Sequence, residues 1–206
     1  ESAVDEVSKW LEEMITAAGE AATKGGDAGG GADKIGDVGA ANNGAVADAS
    51  SVKEIAKGIK GIVDAAGKAF GKDGNALKDV AEVADDKKEA GKLFAGNAGG
   101  AVADAAAIGK AAGAVTAVSG EQILKAIVDA AGGADQAGKK ADAAKNPIAA
   151  AIGADAAGAG ADFGNDMKKR NDKIVAAIVL RGVAKDGKFA AAANDDNSKA
   201  SVKSAV

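Results

Sequence analysis

Apolar side chains recur at intervals of three and four residues in several segments of this chain, which is the spacing of one face of an α-helix. The strongest late pattern runs from Ile174 to Val183 within the block 167–190, MKKRNDKIVAAIVLRGVAKDGKFA, and others cover 1–18, 51–70 and 119–131. Strict alternation of apolar and polar residues, which a half-buried β-strand would show, is not found in the sequence. The pattern therefore predicts an all-α fold.

Start and stop signals bound several of these helices. Ser119 opens a capping box, SGEQ, and the glycines at 132–133 end the segment. Asn146 before Pro147 predicts a cap followed by a short helix, and Ser51 opens a second candidate capping box, SVKE. The apolar stripes assigned to the four long helices are Val4, Val7, Leu11, Met14, Ile15 and Ala18; Ile55, Ile59, Ile62, Val63, Ala66 and Phe70; Ile123, Leu124, Ile127, Val128 and Ala131; and Ile174, Val175, Ile178, Val179, Leu180 and Val183.

Shorter helices are predicted between 75 and 118, over NALKDVAEVA, KKEAGKLFA and ADAAAIGKAAGAVTAV. Other stretches are rich in Gly, Ala and Asp, and glycine costs backbone entropy in a long helix. These stretches are interpreted as long surface loops at 25–49, 95–104 and 154–166. Since surface loops carry few packing contacts, substitutions there are expected to change the stability by about 0.5 kcal/mol or less.

Large apolar side chains are scarce: Val, Ile, Leu and Phe account for 38 of 206 residues, and the chain has one Trp and no Tyr. The core must therefore be built from Ala, Val and Ile between closely packed helices. The net charge of -4 is too small to expand the chain. We predict one elongated, Ala-rich helical bundle over 1–206. Because helical patterns run to both ends, at 1–18 and 201–206, the sequence is expected to be a piece of a longer protein.

The chain contains no His and no Cys, two residue types on which much enzyme chemistry depends. Their absence excludes His general bases, thiol nucleophiles, disulfides and the usual zinc sites. The segment GADQAGKK at 133–140 imitates a phosphate-binding loop, but it has Lys where that motif needs Ser or Thr. The acidic pairs at 85–86 and 195–196 lack calcium-loop spacing. The sequence thus predicts no catalytic residue, no cofactor and no metal, in a protein that is not an enzyme.

Four cations within six residues, Lys168, Lys169, Arg170 and Lys173, form the best candidate for a binding site. Such a cluster attracts polyanions, for example a sulfated polysaccharide, phosphate or an acidic partner. Nucleic acid is disfavoured as a partner, because the cluster lacks aromatic side chains that would stack on bases and the whole chain is acidic. The alternative is structural: the same cations would cover the polar start of a helix whose other face, from Ile174 to Val183, is buried.

The segment 167–190 is predicted to be part of the structural frame. Its periodicity places Ile174 and Ile178 inward, and the turn at 186–187 ends the helix. Phe189 follows that turn and is positioned to pack back on the frame. A polar substitution at Ile178 is therefore expected to be strongly destabilising.

Several long motifs carry a family resemblance. MKKRNDKIVAAIVLRGVAKDGKFA at 167–190, VSGEQILKAIVDAAG, KNPIAAAIG and the stretch from 51 to 94 resemble segments of the variable large proteins and the variable major protein-like surface lipoproteins of Borrelia. The first of these is similar to a segment that stays constant in those families. The resemblance extends over nearly the whole chain, and its N-terminal part is most similar to the variable large proteins of relapsing-fever spirochaetes.

This resemblance implies a helical lipoprotein on the surface of the cell outer membrane, with its termini near the membrane and variable loops displayed away from it. It also implies a role in antigenic variation, with host antibodies as the partners. The lipidated Cys of the family and its flanking membrane-proximal helices have no counterpart in this sequence, so any membrane contact would come through an anchor outside it. An adhesin that binds host glycosaminoglycan or a plasma protein through the basic cluster is the alternative, and the oligomeric state, a dimer included, stays open.

Overall fold

The structure, a computed structural model, describes residues 3–25, 36–39, 43–69, 75–96, 102–154 and 160–192. Within these residues the regular elements are helices, and β-type pairing is limited to four isolated bridges. The predicted all-α fold is therefore confirmed. The predictions made for Phe70 and for residues 195–196 and 201–206 lie outside the described part. In chain order the elements are α1 (Ala3–Ala22), α2 (Ala49–Ala69), a 3₁₀-helix (Lys88–Phe94), α3 (Ala105–Thr116), α4 (Gly120–Ala131), α5 (Pro147–Ile152) and α6 (Asn171–Val183).

Helix α6 is the centre of the fold and packs against α2, α3, α4 and α5. One part of the core joins α6 to α3 and the 3₁₀-helix and contains the Phe94, Phe163 and Phe189 rings. The other joins α6 to α2, α4 and α5, and much of it is alanine. Because alanine side chains are small, these helices approach closely and bury α6 without large apolar residues.

Two predicted helix starts are confirmed. The side chain of Ser119 accepts a hydrogen bond from Gln122 N and the side chain of Gln122 accepts one from Ser119 N, which completes the capping box of α4. Asn146 caps α5 by accepting a hydrogen bond from Ala149 N at 2.9 Å, and Pro147 occupies the first turn. Both signals were readable from the sequence because they depend on residues within one turn.

The start of α2 was predicted wrongly. Asp48 Oδ1, not the Ser51 hydroxyl, accepts the first-turn hydrogen bond, from Ser51 N at 2.7 Å. The buried Ser51 hydroxyl instead donates to Lys24 O and accepts from Lys185 N, so it joins the end of α1 to the chain after α6. Ser51 is thus a tertiary connector, a role that its local spacing does not reveal.

Helix α1 forms as predicted, but its apolar stripe does not face the core. Val4, Val7, Leu11 and Ile15 are 47–72% exposed, whereas the face that carries Ala17 and Ala21 packs on α2. A Cβ atom at Gly58 of α2 would lie 2.4 Å from Ala21 Cβ, and one at Gly61 would lie 2.8 Å from Ala17 Cβ. Backbone approach through small residues, rather than burial of the large apolar side chains, therefore decides which face of α1 meets α2.

We expect a Gly58→Leu substitution to separate α1 from α2 while the rest of the fold persists. The new side chain has no room between the two backbones, since even its Cβ would lie 2.8 Å from Ala17 O. Trp10, the sole tryptophan, is half-buried on α1 and reports the separation as a red shift of its fluorescence. The control is Gly109→Leu, where no atom lies within 4 Å of the added Cβ. An unchanged emission spectrum of the Gly58 variant would contradict this packing.

Two of the three short helices between 75 and 118 are confirmed, as the 3₁₀-helix Lys88–Phe94 and as α3, which Asp104 caps. The helix predicted over 75–84 is wrong, because this stretch has turns at 76–79 and then continues without helix. Its carbonyls bond elsewhere: Val83 O accepts from Asn171 N at 3.0 Å and Ala81 O accepts from the Gln122 side chain at 3.1 Å. Tertiary hydrogen bonds replace the local ones that a helix would need.

The prediction of an exposed loop over 25–49 needs correction at both of its described parts, 36–39 and 43–48. Gly36, Gly44 and Ala47 are buried. Their backbone amides are satisfied by carbonyls of the frame or of other loop bases, for instance Gly36 N by Gly182 O at 2.8 Å and Ala47 N by Ile152 O at 3.1 Å. The bases of this loop are therefore built into the fold.

Candidate functional site

The nine residues that follow α6, 184–192, form what we call the anchoring segment. Most of the segment is buried, and Phe189 packs edge-on against Phe94 with ring centroids 5.9 Å apart. The segment's turn lies at Lys185 and Asp186, and Asp186 has a left-handed conformation, with φ of 62°, which Asp tolerates better than most residues. The prediction that Phe189 packs on the frame is confirmed, whereas α6 ends at Val183 and the turn lies one residue before the predicted 186–187.

The first loop base to meet the anchoring segment is that of the 25–49 loop. Lys188 and Ala45 exchange two main-chain hydrogen bonds of 3.1 Å each. Phe189 N donates to Asp37 O at 2.9 Å, and Gly39 N donates to Phe189 O at the same distance. An ion pair between Lys188 and Asp37, 3.5 Å long, lies beside these main-chain bonds. Both described parts of the loop are thus attached to this short segment.

The base of the 95–104 loop meets the same segment further along. Ala190 N donates to Leu93 O at 2.9 Å on one side of the loop, and Ala192 N donates to Ala103 O at 3.0 Å on the other. Gly44 N also donates to Gly96 O at 3.3 Å, which ties the first two loops to each other. The contacts between these loop bases and the frame again use main-chain atoms.

Arg181, in the last turn of α6, connects the end of α5 to the base of the 25–49 loop. Its side chain is fully buried, and its guanidinium donates to Ala151 O at 3.1 Å, to Lys188 O at 3.1 and 3.2 Å, and to Ala45 O. The guanidinium carbon also lies 5.5 Å from the centre of the Phe94 ring, where a cation is favoured. Burial lowers the pKa of Arg181 to about 9, so the group is still charged at neutral pH.

Beyond α5, the chain enters the 154–166 loop through Gly153. This residue has φ of +82°, and a Cβ atom there would lie 3.0 Å from Arg181 Nη1. The returning end of the loop is held by Phe163 N, which donates to Lys88 O at 2.8 Å. The bases of the 25–49 and 95–104 loops are therefore fastened to the anchoring segment, whereas the returning end of the 154–166 loop is fastened to the 3₁₀-helix.

Arg181 is the functional residue that sequence reasoning missed. The sequence feature that could have identified it is an arginine within the apolar stripe of a helix, because a charge in such a position must find buried partners. Each hydrogen bond that its guanidinium makes within the described residues ends on a main-chain carbonyl. The sequence does not indicate which carbonyls these are, since Ala45 lies 136 positions away.

The four cations of the predicted binding cluster lie at the start of α6 but do not form one free patch. Arg170 makes a two-pronged ion pair with Asp172, at 3.0 and 2.7 Å, and contacts Glu82 Oε2 at 2.9 Å. The hydrogen bonding to Asp172 raises the pKa of Arg170 above its ordinary value. Lys173 Nζ donates to Asp166 O at 3.2 Å, which holds the end of the third loop.

Lys168 and Lys169 are the two members of the cluster without such engagement. Lys169 is exposed and Lys168 is half-buried. The ammonium groups of these two residues form no ion pair or hydrogen bond with the described part of the chain. The structure therefore divides the predicted cluster into two structural cations and two whose ammonium groups have no partner among the described residues.

The other candidate motifs have structural roles in the described residues. In GADQAGKK, the Gln136 side chain donates to the carbonyls of Ala130, Ala131 and Gly133 at the end of α4. Asp85 is exposed, and its hydrogen bond with Lys87 lowers its pKa. No group of three or more acidic residues that could hold a metal ion occurs within the described ranges. No helix in that part of the chain combines the length and apolarity needed to cross a membrane.

Comparison with known proteins explains the resemblance seen in the sequence. The family model described as Borrelia lipoprotein matches residues 1–206, the whole chain. The chain belongs to the Borrelia lipoprotein family. This Borrelia lipoprotein is similar to variable large protein 17 of Borrelia hermsii, with 34% identity over 164 residues, and to variable large protein 25 of the same species, with 36% identity over 170 residues.

A solved structure supports the same relationship. The crystal structure of the Lyme disease variable surface antigen VlsE of Borrelia burgdorferi matches this Borrelia lipoprotein with a TM-score of 0.83 and 49% identity, over 98% of this chain and 66% of that one. The matches to variable large proteins 17 and 25 cover 77% and 80% of this chain but 43% and 44% of the relatives. The chain thus spans less than half the length of these curated relatives.

Proposed function

We propose that this Borrelia lipoprotein serves antigenic variation, as a helical frame that displays changeable loops to the host. The observation that carries the proposal is the attachment of the bases of the 25–49 and 95–104 loops to the largely buried anchoring segment through main-chain hydrogen bonds. When loops are held in this way, substitutions of their outer residues have little effect on the packing of the core. The names of the relatives, variable large proteins and a variable surface antigen, support the same role.

The mechanism proposed for immune evasion is steric and chemical rather than enzymatic. Host antibodies are the partners, and they bind the outer residues of the loops. When a version with different loop residues replaces the earlier one, shape and hydrogen-bond complementarity at the antibody interface are lost, although the frame is the same. The proposal includes a location on the outer membrane, where a lipid anchor holds the protein.

Sera from hosts infected in succession with variants of this protein test the proposal. Each serum is measured against the folded chain and against chains whose loops 26–35, 97–101 and 155–159 have been exchanged between variants. We expect binding to follow the loops and not the frame. Sera that bind loop-exchanged chains as strongly as the original would count against antigenic variation through these loops.

A second candidate function is adhesion to host glycosaminoglycan or a plasma protein through the basic cluster. The specific observation in its favour is that the exposed Lys169 and the half-buried Lys168 form no ion pair with the described residues. Arg170 and Lys173 contribute less, because the first is neutralised by Asp172 and the second is bonded to Asp166 O. Two cations alone give weak, salt-sensitive attraction.

A Lys168→Glu/Lys169→Glu double variant tests this adhesion on a heparin column. If the cluster binds sulfated polysaccharide, the double variant is expected to elute at clearly lower salt than the parent chain. Lys139→Glu/Lys140→Glu is the matched control, since it reverses two adjacent exposed lysines elsewhere and changes the net charge equally. Equal loss in both double variants would show attraction by net charge, and absence of retention by the parent at physiological salt would remove the adhesin hypothesis.

A further inference from the structure

The attachment of the loop bases depends on main-chain atoms far more than on side chains. Between the 25–49 loop and the anchoring segment, the hydrogen bonds join Ala45 with Lys188 and Phe189 with Asp37 and Gly39, in each case from amide to carbonyl. Every residue except proline offers these groups, whatever its side chain. Such bonds would survive changes of loop sequence that would break a contact between specific side chains.

Arg181 extends this principle from the backbone to a side chain. Its three donor nitrogens point at carbonyls of three separate segments, at Ala45, Ala151 and Lys188. A guanidinium suits this task because its donors are fixed in a plane and spread over several directions, whereas the ammonium of lysine is a compact point charge. The side chain is fully buried, so water cannot take the place of these carbonyls as hydrogen-bond acceptors. The buried charge therefore needs its carbonyl partners.

Glycine completes the arrangement around the guanidinium. At Gly153 a Cβ atom would lie 3.0 Å from Arg181 Nη1, and at Gly187 it would lie 3.3 Å from Arg181 Cγ and 2.5 Å from Arg181 O. These positions leave space for the arginine to reach the carbonyls without competing side chains. The contacts of Arg181 thus require particular residues only in the frame and at the two glycines at its edge. They require no particular residue in the outer parts of the loops.

We propose that Arg181 is a positioning residue that locks the base of the 25–49 loop, and the end of α5 from which the 154–166 loop continues, to α6 through main-chain carbonyls, so that outer loop side chains can change without moving these attachment points. The purpose given to this lock rests on the proposed antigenic role, but the lock itself is a property of the fold. It makes the geometry of the loop bases independent of the residues that the loops carry in their outer parts.

Amide hydrogen exchange of the folded chain tests the lock. In Arg181→Met, which keeps an unbranched apolar side chain but removes every donor, we expect exchange at the amides of Ala45, Ala47 and Lys188 to accelerate at least tenfold. Amides within α4 should change by less than threefold. Arg181→Lys should fall nearer to the Met variant than to the parent, since one ammonium does not reach three carbonyls.

Lys188→Gln is the matched control, because it removes the side-chain ion pair with Asp37 and leaves the main chain unchanged. We expect exchange at Ala45 and Lys188 to stay within threefold of the parent in this variant. Acceleration equal to that of Arg181→Met would overturn the claim that side-chain identity is unimportant at the base. Unchanged exchange in Arg181→Met, or equal acceleration at all amides including those of α4, would overturn the lock.

If neither Arg181 variant folds, the parent chain provides the measurement. With increasing denaturant, the amides of Ala45 and Lys188 should exchange through one shared opening that is separate from the opening of α4. Independent openings of these two amides would overturn the lock. The serum experiment is independent of this result, so a failed lock leaves the antigenic role standing and a failed antigenic role leaves the lock standing.

Discussion

An Ile178→Asn substitution is expected to lower the free energy of unfolding by about 4 kcal/mol, enough to unfold much of a marginally stable protein. Ile178 is 2% exposed and lies on the face of α6 that packs into the core containing the phenylalanine rings. The change removes buried apolar surface and places an amide where no water reaches it. Urea unfolding followed by circular dichroism measures the loss.

The same chemical change at an exposed site supplies the control. Ile15 in α1 is 71% exposed, so Ile15→Asn should change the free energy of unfolding by roughly 0.5 kcal/mol or less. If the Ile178 variant unfolded at the same urea concentration as the Ile15 variant, the central position of α6 would be wrong. The comparison separates burial from helix propensity, because both residues lie inside helices.

The helices that could be predicted from the sequence are those whose signals are local. Helix α4 has a capping box and a regular apolar face, α5 has a cap and a proline, and α6 has apolar residues on most of its surface. In each case the residues that specify the helix lie within a few turns of one another. Local propensity, periodicity and capping then agree with the tertiary structure, and prediction succeeds.

The features that could not be predicted depend on residues far apart in the chain. The exposed face of α1 follows from the glycines of α2, and the non-helical stretch 75–84 follows from hydrogen bonds to Gln122 and Asn171. The role of Arg181 follows from carbonyls that only the folded chain brings together. Of the candidate binding cluster, the sequence predicted the position but not the engagement of Arg170 by Asp172.

These nonlocal features share one physical origin, the packing of backbone against backbone. A chain with few large apolar residues forms its core by close approach of helices and loop bases, and close approach requires small residues at the contact points. Glycine in this protein therefore has two opposite roles. Inside a helix with nothing packed against it, as at Gly109 in α3, it costs backbone entropy on folding, whereas at a loop base it makes room for a carbonyl.

The two roles predict opposite effects of the same substitution at two glycines. Gly44→Ala is expected to lower the free energy of unfolding by about 3 kcal/mol, because the added Cβ would lie 2.3 Å from Ala95 O and 2.8 Å from Lys188 O. Gly109→Ala is expected to raise it by about 0.5–1 kcal/mol, since this glycine lies inside α3 with no atom within 4 Å of the new methyl group.

Thermal melting of the two variants beside the parent chain measures this contrast. For a domain of this size, a loss of 3 kcal/mol corresponds to a fall in Tm of roughly 6–12 °C, while the Gly109 variant should melt slightly above the parent. A Gly44 variant that melts with the parent would mean that the base of the 25–49 loop can move away from Ala95 and Lys188 at little cost. The base would then belong to the changeable surface, and the boundary between frame and loop would lie closer to α2.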